Sequence, residues 1–245
     1  MAGTLTPDVC VVGAGSAGLV AAAGAAQLGL NVVLIERGLM GGDCLNYGCV
    51  PSKALIAAAK AAQAQRSGAA FGIAPLEPRV DFGKVMDHVT QVIAAIAPND
   101  SVERFERLGV RVLKEEARFV GRTELSAGPH RIKSRRIVLA TGSRPIAPPV
   151  PGLADVPYLT NETVFANRIL PDHLIVIGGG PIGLELAQAY RRLGARVTVL
   201  EAADFLAKDD PELSAIVVAR LRAEGVDLRA PVKIARVERA PCGMT

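Results

Sequence analysis

One 28-residue pattern occurs twice in this chain. Residues 9–36 read VCVVGAGSAGLVAAAGAAQLGLNVVLIE, and residues 174–201 read LIVIGGGPIGLELAQAYRRLGARVTVLE. A shift of 165 residues lays Gly13, Gly15 and Gly18 on Gly178, Gly180 and Gly183, and lays Glu36 on Glu201. Leu28-Gly29 falls on Leu193-Gly194 by the same shift. Each copy predicts an apolar strand, G-x-G-x-x-G, a helix closed by glycine, a second apolar strand and a terminal acid. The first glycine allows a tight turn, and the second lets the backbone approach a pyrophosphate. The third lets helix and strand pack closely, with the helix N-terminus facing the phosphates. The acid stands where it can bond a ribose 2′-hydroxyl. One such motif is a weak signal, and a Rossmann-like unit that binds nothing is its bland alternative. Recurrence of every part in register points instead to two dinucleotide sites. The expected fold is α/β, with two Rossmann-like dinucleotide-binding domains of the three-layer sandwich type.

Composition removes several other classes. The chain has 245 residues, half of them apolar and 21% charged, which excludes a disordered chain and supports buried cores. Its net charge of +4 is spread out, and the densest basic cluster is Arg131, Lys133, Arg135 and Arg136. No aromatics interleave that cluster, so it reads as a solvated strand face and not as a nucleic-acid site. From Val9 to Ile35 there is no charge at all, a length that would suit a membrane span. Gly13, Gly15, Gly18, Gly24 and Gly29 punctuate the run, however, and it divides into strand, turn, helix and strand. Asp8 precedes it with no basic residue, which does not fit a signal peptide. Four cysteines are too few for a secreted disulfide scaffold. The expected protein is cytoplasmic, with no membrane and no nucleic-acid partner.

Between the copies lies Gly41-Gly42-Asp43-Cys44-Leu45-Asn46-Tyr47-Gly48-Cys49-Val50-Pro51-Ser52-Lys53. Cysteines five apart on a regular helix are separated by about 7.5 Å of axial rise. That exceeds the usual disulfide Cα separation, so pairing requires a distorted turn, for which Gly48 and Pro51 provide the chemistry. The pair reads as a redox dithiol, with unpaired thiols or half a zinc site as the alternatives. Zinc would need two more ligands from Cys10, Cys242, His88, His130 and His173, none at ligand spacing, so no metal is expected. Cys10 lies inside the first strand as a small core residue, and Cys242 in a frayed C-terminal stretch.

The dithiol flanked by paired dinucleotide motifs resembles the redox site of the class I pyridine nucleotide–disulfide oxidoreductases. That family includes dihydrolipoamide dehydrogenase, glutathione reductase and mercuric reductase. Ala140-Thr141-Gly142-Ser143-Arg144-Pro145 is similar to the family's motif at the exit of the flavin domain. The resemblance implies FAD at the first fingerprint and a nicotinamide cofactor at the second. It assigns Cys49 as the thiol facing the flavin and Cys44 as the thiol that exchanges with substrate. Lys53 resembles the lysine beside the flavin, and Glu185 its glutamate partner; the first copy has Val20 at the position of Glu185. The implied FAD contacts are Gly13, Gly15, Ser16, Ala17, Gly18, Glu36 and Arg37, then Gly42, Asp43, Lys53, Ala140, Thr141 and Gly142. The implied nicotinamide contacts are Gly178, Gly180, Pro181, Ile182, Gly183 and Glu201. Ala202, Ala203 and Asp204 follow Glu201 with no arginine to receive a 2′-phosphate, so NADH is expected over NADPH. Pro181 stands where many relatives carry an aromatic gate, Asp43 replaces a threonine, and Tyr47 replaces a smaller residue. The segments around Cys49 and Glu185 lean toward the mercuric-reductase side.

The expected organisation is a FAD domain over residues 1–147, a crossover over 148–170, and the first part of an NAD domain over 171–245. Within it, a helix is expected over Ala54–Gln65, and a helical run over Phe82–Leu108 broken near Pro98. Strands are expected at Val110–Leu113, Arg118–Phe119 and Ile137–Ala140. A helix over Pro211–Glu224 is followed by strands at Val226–Leu228 and Val232–Val237. The family's later flavin-domain segment, its dimer domain and its histidine–glutamate pair have no counterpart in this sequence. The chain therefore reads as the N-terminal part of such an enzyme, expected to hold FAD weakly and to turn over nothing alone. A nucleotide-binding fragment without turnover is the alternative function. The complete enzyme is expected to be a homodimer acting on a small-molecule disulfide or Hg(II).

Overall fold

Four consecutive β-branched or leucine residues, Val32–Ile35, are all buried, the pattern of a strand covered on both faces. The computed structural model that places them describes residues 3–240, 243 and 244. In chain order the elements begin β1 (Thr4–Leu5), β2 (Val9–Val12), α1 (Ser16–Gln27), β3 (Val32–Ile35), α2 (Gly42–Asn46) and α3 (Cys49–Arg66). There follow α4 (Phe82–Ile96), α5 (Val102–Arg107), β4 (Val110–Leu113), β5 (Ala117–Phe119), β6 (Glu124–Ala127), β7 (His130–Lys133) and β8 (Arg136–Leu139). The last are β9 (His173–Ile177), α6 (Pro181–Arg192), β10 (Arg196–Leu200), α7 (Pro211–Ala223), β11 (Asp227–Arg229), β12 (Arg239–Ala240) and β13 (Gly243–Met244). The chain divides into two compact units, Met1–Pro51 with Thr90–Pro145, and Ser52–Val89 with Ile146–Thr245.

The first unit has three layers. Its middle is a parallel sheet in the order β4-β3-β2-β8, with Val12 opposite both Ile35 and Leu139. On one face Val11, Leu34, Ala22 of α1 and Phe105 of α5 pack into one core cluster. On the other, Cys10, Val33 and Ile35 meet Leu125, Ala127 and Ile132 of the sheet β1-β7-β6-β5. Cys10 is a core residue, and burial pushes its thiol up to about 11, so it stays protonated and inert.

The second unit repeats the start of that arrangement. Its parallel sheet runs β11-β10-β9, with Val199 opposite Val176 and Leu228. Leu184, Ala187 and Tyr190 of α6 are buried. Residues from α3 and α4 belong to this unit. Phe82 packs its ring against Tyr190 at 5.5 Å between centroids, and Arg168 donates to Asp87 at 2.6 Å. Alanines Ala54, Ala59 and Ala62 are buried along α3.

Several sequence expectations change. The helix expected from Ala54 begins at Cys49, because Pro51 in a first turn lacks only an N–H that the helix would not bond. Near Pro98 the helical run does break, into a 3₁₀ turn over Ala97–Asp100. Val232–Val237 is not a strand: Val232 donates to Glu201 and Val237 to Pro151, and no ladder forms there. The β6–β7 hairpin, closed by Gly128-Pro129, was not anticipated as a pair. In it Arg131 and Lys133 are exposed and Ile132 is buried. Cys242 lies outside the described residues. Among the described residues no helix is long and apolar enough to cross a membrane.

Candidate functional site

At the end of β2 the amide of Gly13 still bonds Ile35 O (2.8 Å), and at the end of β9 that of Gly178 bonds Leu200 O (2.9 Å). Both glycines then turn the chain with positive φ, 103° and 112°, a conformation that side chains disfavour. A Cβ on Gly18 would lie 1.8 Å from Gly13 O, and one on Gly183 would lie 2.2 Å from Gly178 O. The helix therefore touches the turn it leaves, as the spacing requires.

The helices that follow are capped unlike others in the chain. Ser101 caps α5 by accepting from the Arg104 amide, and Asp210 caps α7 by accepting from Glu212 and Leu213. The N-caps of α1 and α6 are Gly15 and Gly180, with no side-chain acceptor and no acid in the first turn. First-turn amides are thus left for an outside anion, with the positive end of the helix behind them. Ser16 and Ala17 open α1, whereas α6 opens with Pro181, which has no N–H to give, followed by exposed Ile182. Each copy thus holds residues with the chemistry of one pyrophosphate cradle.

The terminal acids recur as closely. Glu36 accepts from the amides of Ala14 and Gly38, both at 2.6 Å. Glu201 accepts from those of Gly179 at 2.6 Å and Ala203 at 2.9 Å. The Ala203 and Gly179 bonds hold the Glu201 carboxyl below its usual range. Arg37 extends toward Glu116 at 3.8 Å, both exposed. Lys114 donates to the Gly38 carbonyl, a contact across 76 positions that no motif announces. Arg229, at the end of β11 opposite Leu200, was not foreseen near Glu201; its guanidinium is engaged by Asp227 at 2.7 Å.

The dithiol element starts on the first glycine loop. A Cβ on Gly42 would lie 2.5 Å from Gly15 Cα, so α2 abuts the first glycine loop directly. Ala140 also reaches this edge, bonding Val12 O at 2.8 Å, and its carbonyl lies over Gly13. Thr141 and Gly142 follow it. Asn46 fastens the start of α2 by donating to Met40 O and Gly42 O. Cys44 lies within α2, half-buried, and Cys49 is the exposed first residue of α3. Between them α2 ends and the chain turns at Tyr47 (φ −139°) before α3 begins. Gly48 is pressed into that break; a Cβ on it would sit 2.9 Å from Asp43 Oδ2 and 3.3 Å from Cys44 Cα. Among the described residues no group of three or more His, Cys, Asp or Glu side chains could hold a metal ion.

One turn beyond Cys49 on α3, Lys53 donates to Glu185 of α6 at 2.7 Å. Both side chains are about half exposed, 59% and 44%, so the pair contributes little stability. Its existence asks for a different reason.

Residues 7–244 match the family model described as pyridine nucleotide-disulphide oxidoreductase. The mercuric reductase of Streptomyces lividans is 34% identical over 238 residues, which cover 95% of this chain and 50% of that protein. The mercuric reductase of Shigella flexneri is 35% identical over 94% of this chain and 42% of its own length. Among solved structures, the HOCl-induced flavoprotein disulfide reductase RclA from Escherichia coli is similar at TM-score 0.81 and 27% identity, over 97% of this chain and 52% of that one. The chain thus spans about half the length of these relatives.

Proposed function

The chain belongs to the pyridine nucleotide-disulphide oxidoreductase family, and from that premise we propose that it passes two electrons from a nicotinamide, by way of FAD, to a Cys44–Cys49 disulfide. The observation that carries the reading is the seat of Gly42 on Gly15. The dithiol element grows out of the first phosphate cradle, and among the described residues nothing comparable follows the second. FAD accordingly belongs to the first cradle and the nicotinamide to the second. When bound, FAD supplies the two-electron relay between hydride donor and disulfide.

This chain's residues supply position and charge. The amides of Gly15, Ser16 and Ala17 orient one pyrophosphate, and those of Gly180, Ile182 and Gly183 the other. Cys49, the first residue of α3, would be the thiol facing the flavin. Cys44, on the other side of the break, exchanges with substrate as a thiolate. Reduction of the disulfide takes up two electrons and two protons and yields both thiols. Lys53 keeps a positive charge at this end of α3, and Glu185 fixes where its ammonium points. The substrate is a small-molecule disulfide or Hg(II), as the names of the mercuric reductases and of the disulfide reductase suggest. The whole protein works as a homodimer, and NADH is preferred.

The two cysteines have separable signatures in the FAD-loaded enzyme. Cys44→Ser abolishes substrate reduction yet keeps a long-wavelength absorbance band from the Cys49 thiolate against the flavin. Cys49→Ser loses both. Visible spectra of the two variants decide it, and a band that survives only in Cys49→Ser reverses the assigned roles.

A further inference from the structure

In each unit the positive-φ glycine ends the strand ladder and leaves the next residue, Ala14 or Gly179, with an amide that no neighbouring strand receives. The acid 22 residues later receives it, Glu36 for Ala14 and Glu201 for Gly179. Each acid sits at the end of the adjacent strand, where its own amide continues the next ladder, to Leu113 O or to Arg229 O. The second carboxylate oxygen takes the amide two residues on, from Gly38 or Ala203. The carbonyl of the same middle residue is taken from the far side, by the amide of Gly41 on Ala14 O (2.9 Å) or of Leu206 on Gly179 O (3.1 Å). Both backbone groups of the middle residue are therefore tied down.

The connecting loops share almost nothing else. Arg37-Gly38-Leu39-Met40-Gly41 stands opposite Ala202-Ala203-Asp204-Phe205-Leu206, yet the hydrogen bonds coincide position for position. Only the acid and the glycine turn are common, so the four carboxylate bonds follow from the acid and not from the loop's other side chains. We propose that Glu36 and Glu201 are positioning residues that brace the two phosphate loops, besides any role in reading a ribose.

The two tasks are compatible. A carboxylate offers about four lone-pair directions; two point at the loop and two remain for hydroxyl groups. Exchanging the acid to change cofactor preference therefore also loosens the grip on the pyrophosphate, because the loop that presents the amides loses its support.

The brace is read by amide hydrogen exchange in this chain, without any nucleotide. Glu36→Ala accelerates exchange at Ala14 at least tenfold and leaves Gly179 unchanged, and Glu201→Ala does the reverse. Glu36→Gln and Glu201→Gln, which keep one acceptor oxygen and nearly the same volume, give intermediate acceleration and cover the case of an alanine variant that does not fold. Unchanged exchange at the matched amide in the glutamine and any folded alanine variant overturns the brace. A second arm, which alone rests on the proposed function, compares NADH with its 2′,3′-dideoxyadenosine analogue. Glu201→Gln weakens both by a similar factor if the acid braces the loop, and a loss confined to NADH leaves ribose reading as its only task. Failure of the unaltered protein to bind either nucleotide sinks the cofactor reading, while the exchange arm still decides the brace.

Discussion

Glu224 concentrates more polar chemistry than any motif in the sequence would suggest. Its carboxylate accepts from Arg192 twice at 2.7 Å, from Arg220 at 2.6 Å and from Gln188 at 3.2 Å, with a side chain only 6% exposed. Burial alone would raise its carboxyl, but the Arg192 and Arg220 bonds outweigh burial and hold it below the usual range. A carboxyl lowered by folding stabilises the protein above its unfolded value of about 4.3, and that contribution is lost as pH falls through the folded value. Glu224→Gln should therefore cost about 3 kcal/mol near neutral pH, since it leaves Arg192 buried without its countercharge. The difference from the unaltered protein should shrink as the medium is acidified. Urea unfolding across pH measures it, and a pH-independent difference contradicts the account. The cluster could not be read from the sequence, because Gln188 and Arg192 lie 36 and 32 positions from Glu224. The fingerprint glycines were legible for the opposite reason: Gly18 closes on Gly13 O and Gly183 on Gly178 O, each five residues back, and that spacing is the geometry.

At the scale of elements, legibility followed whether a segment's structure depends on itself or on a partner. The strand–helix–strand units were readable because apolar runs, glycine turns and closing glycines lie in one stretch. Val232–Val237 has strand composition, but composition fits a residue to a pleated surface and cannot provide the neighbouring strand. The hairpin of β6 and β7 had a legible signal, a two-residue Gly-Pro loop between alternating runs, that the basic cluster obscured. The Lys53–Glu185 approach joins helices 132 positions apart and came from family resemblance, not from spacing. The close contact of helix and strand at the second cradle is open to direct test. Gly183→Ala places a Cβ 2.2 Å from Gly178 O and 3.3 Å from Val176 Cγ1, so α6 must lift from β9. NADH affinity should fall at least tenfold, with a matching loss of stability. Gly24→Ala, where a Cβ meets nothing within 4 Å, should instead stabilise by about 0.5–1 kcal/mol. Fluorescence titration and urea unfolding compare them, and indistinguishable variants would contradict the packing argument.

Across the whole molecule, one construction is used twice and then diverges. The first glycine loop leads into α2 and the dithiol, and the second into α7, with an acid bonded to the middle residue of each loop. In the proposed function Glu201 would repel a 2′-phosphate, and Arg229, at the end of β11, is engaged by Asp227. The ratio of kcat/KM for NADH over NADPH should exceed about ten, and equal values would remove this role from Glu201. The claim on which everything else rests is that flavin and dithiol form one electron store. Anaerobic dithionite titration of the FAD-loaded protein counts that store, since flavin and disulfide each take two electrons. The account predicts two equivalents of dithionite per flavin in the unaltered protein and one in Cys44→Ser or Cys49→Ser. One equivalent in the unaltered protein, or two in either variant, would contradict it.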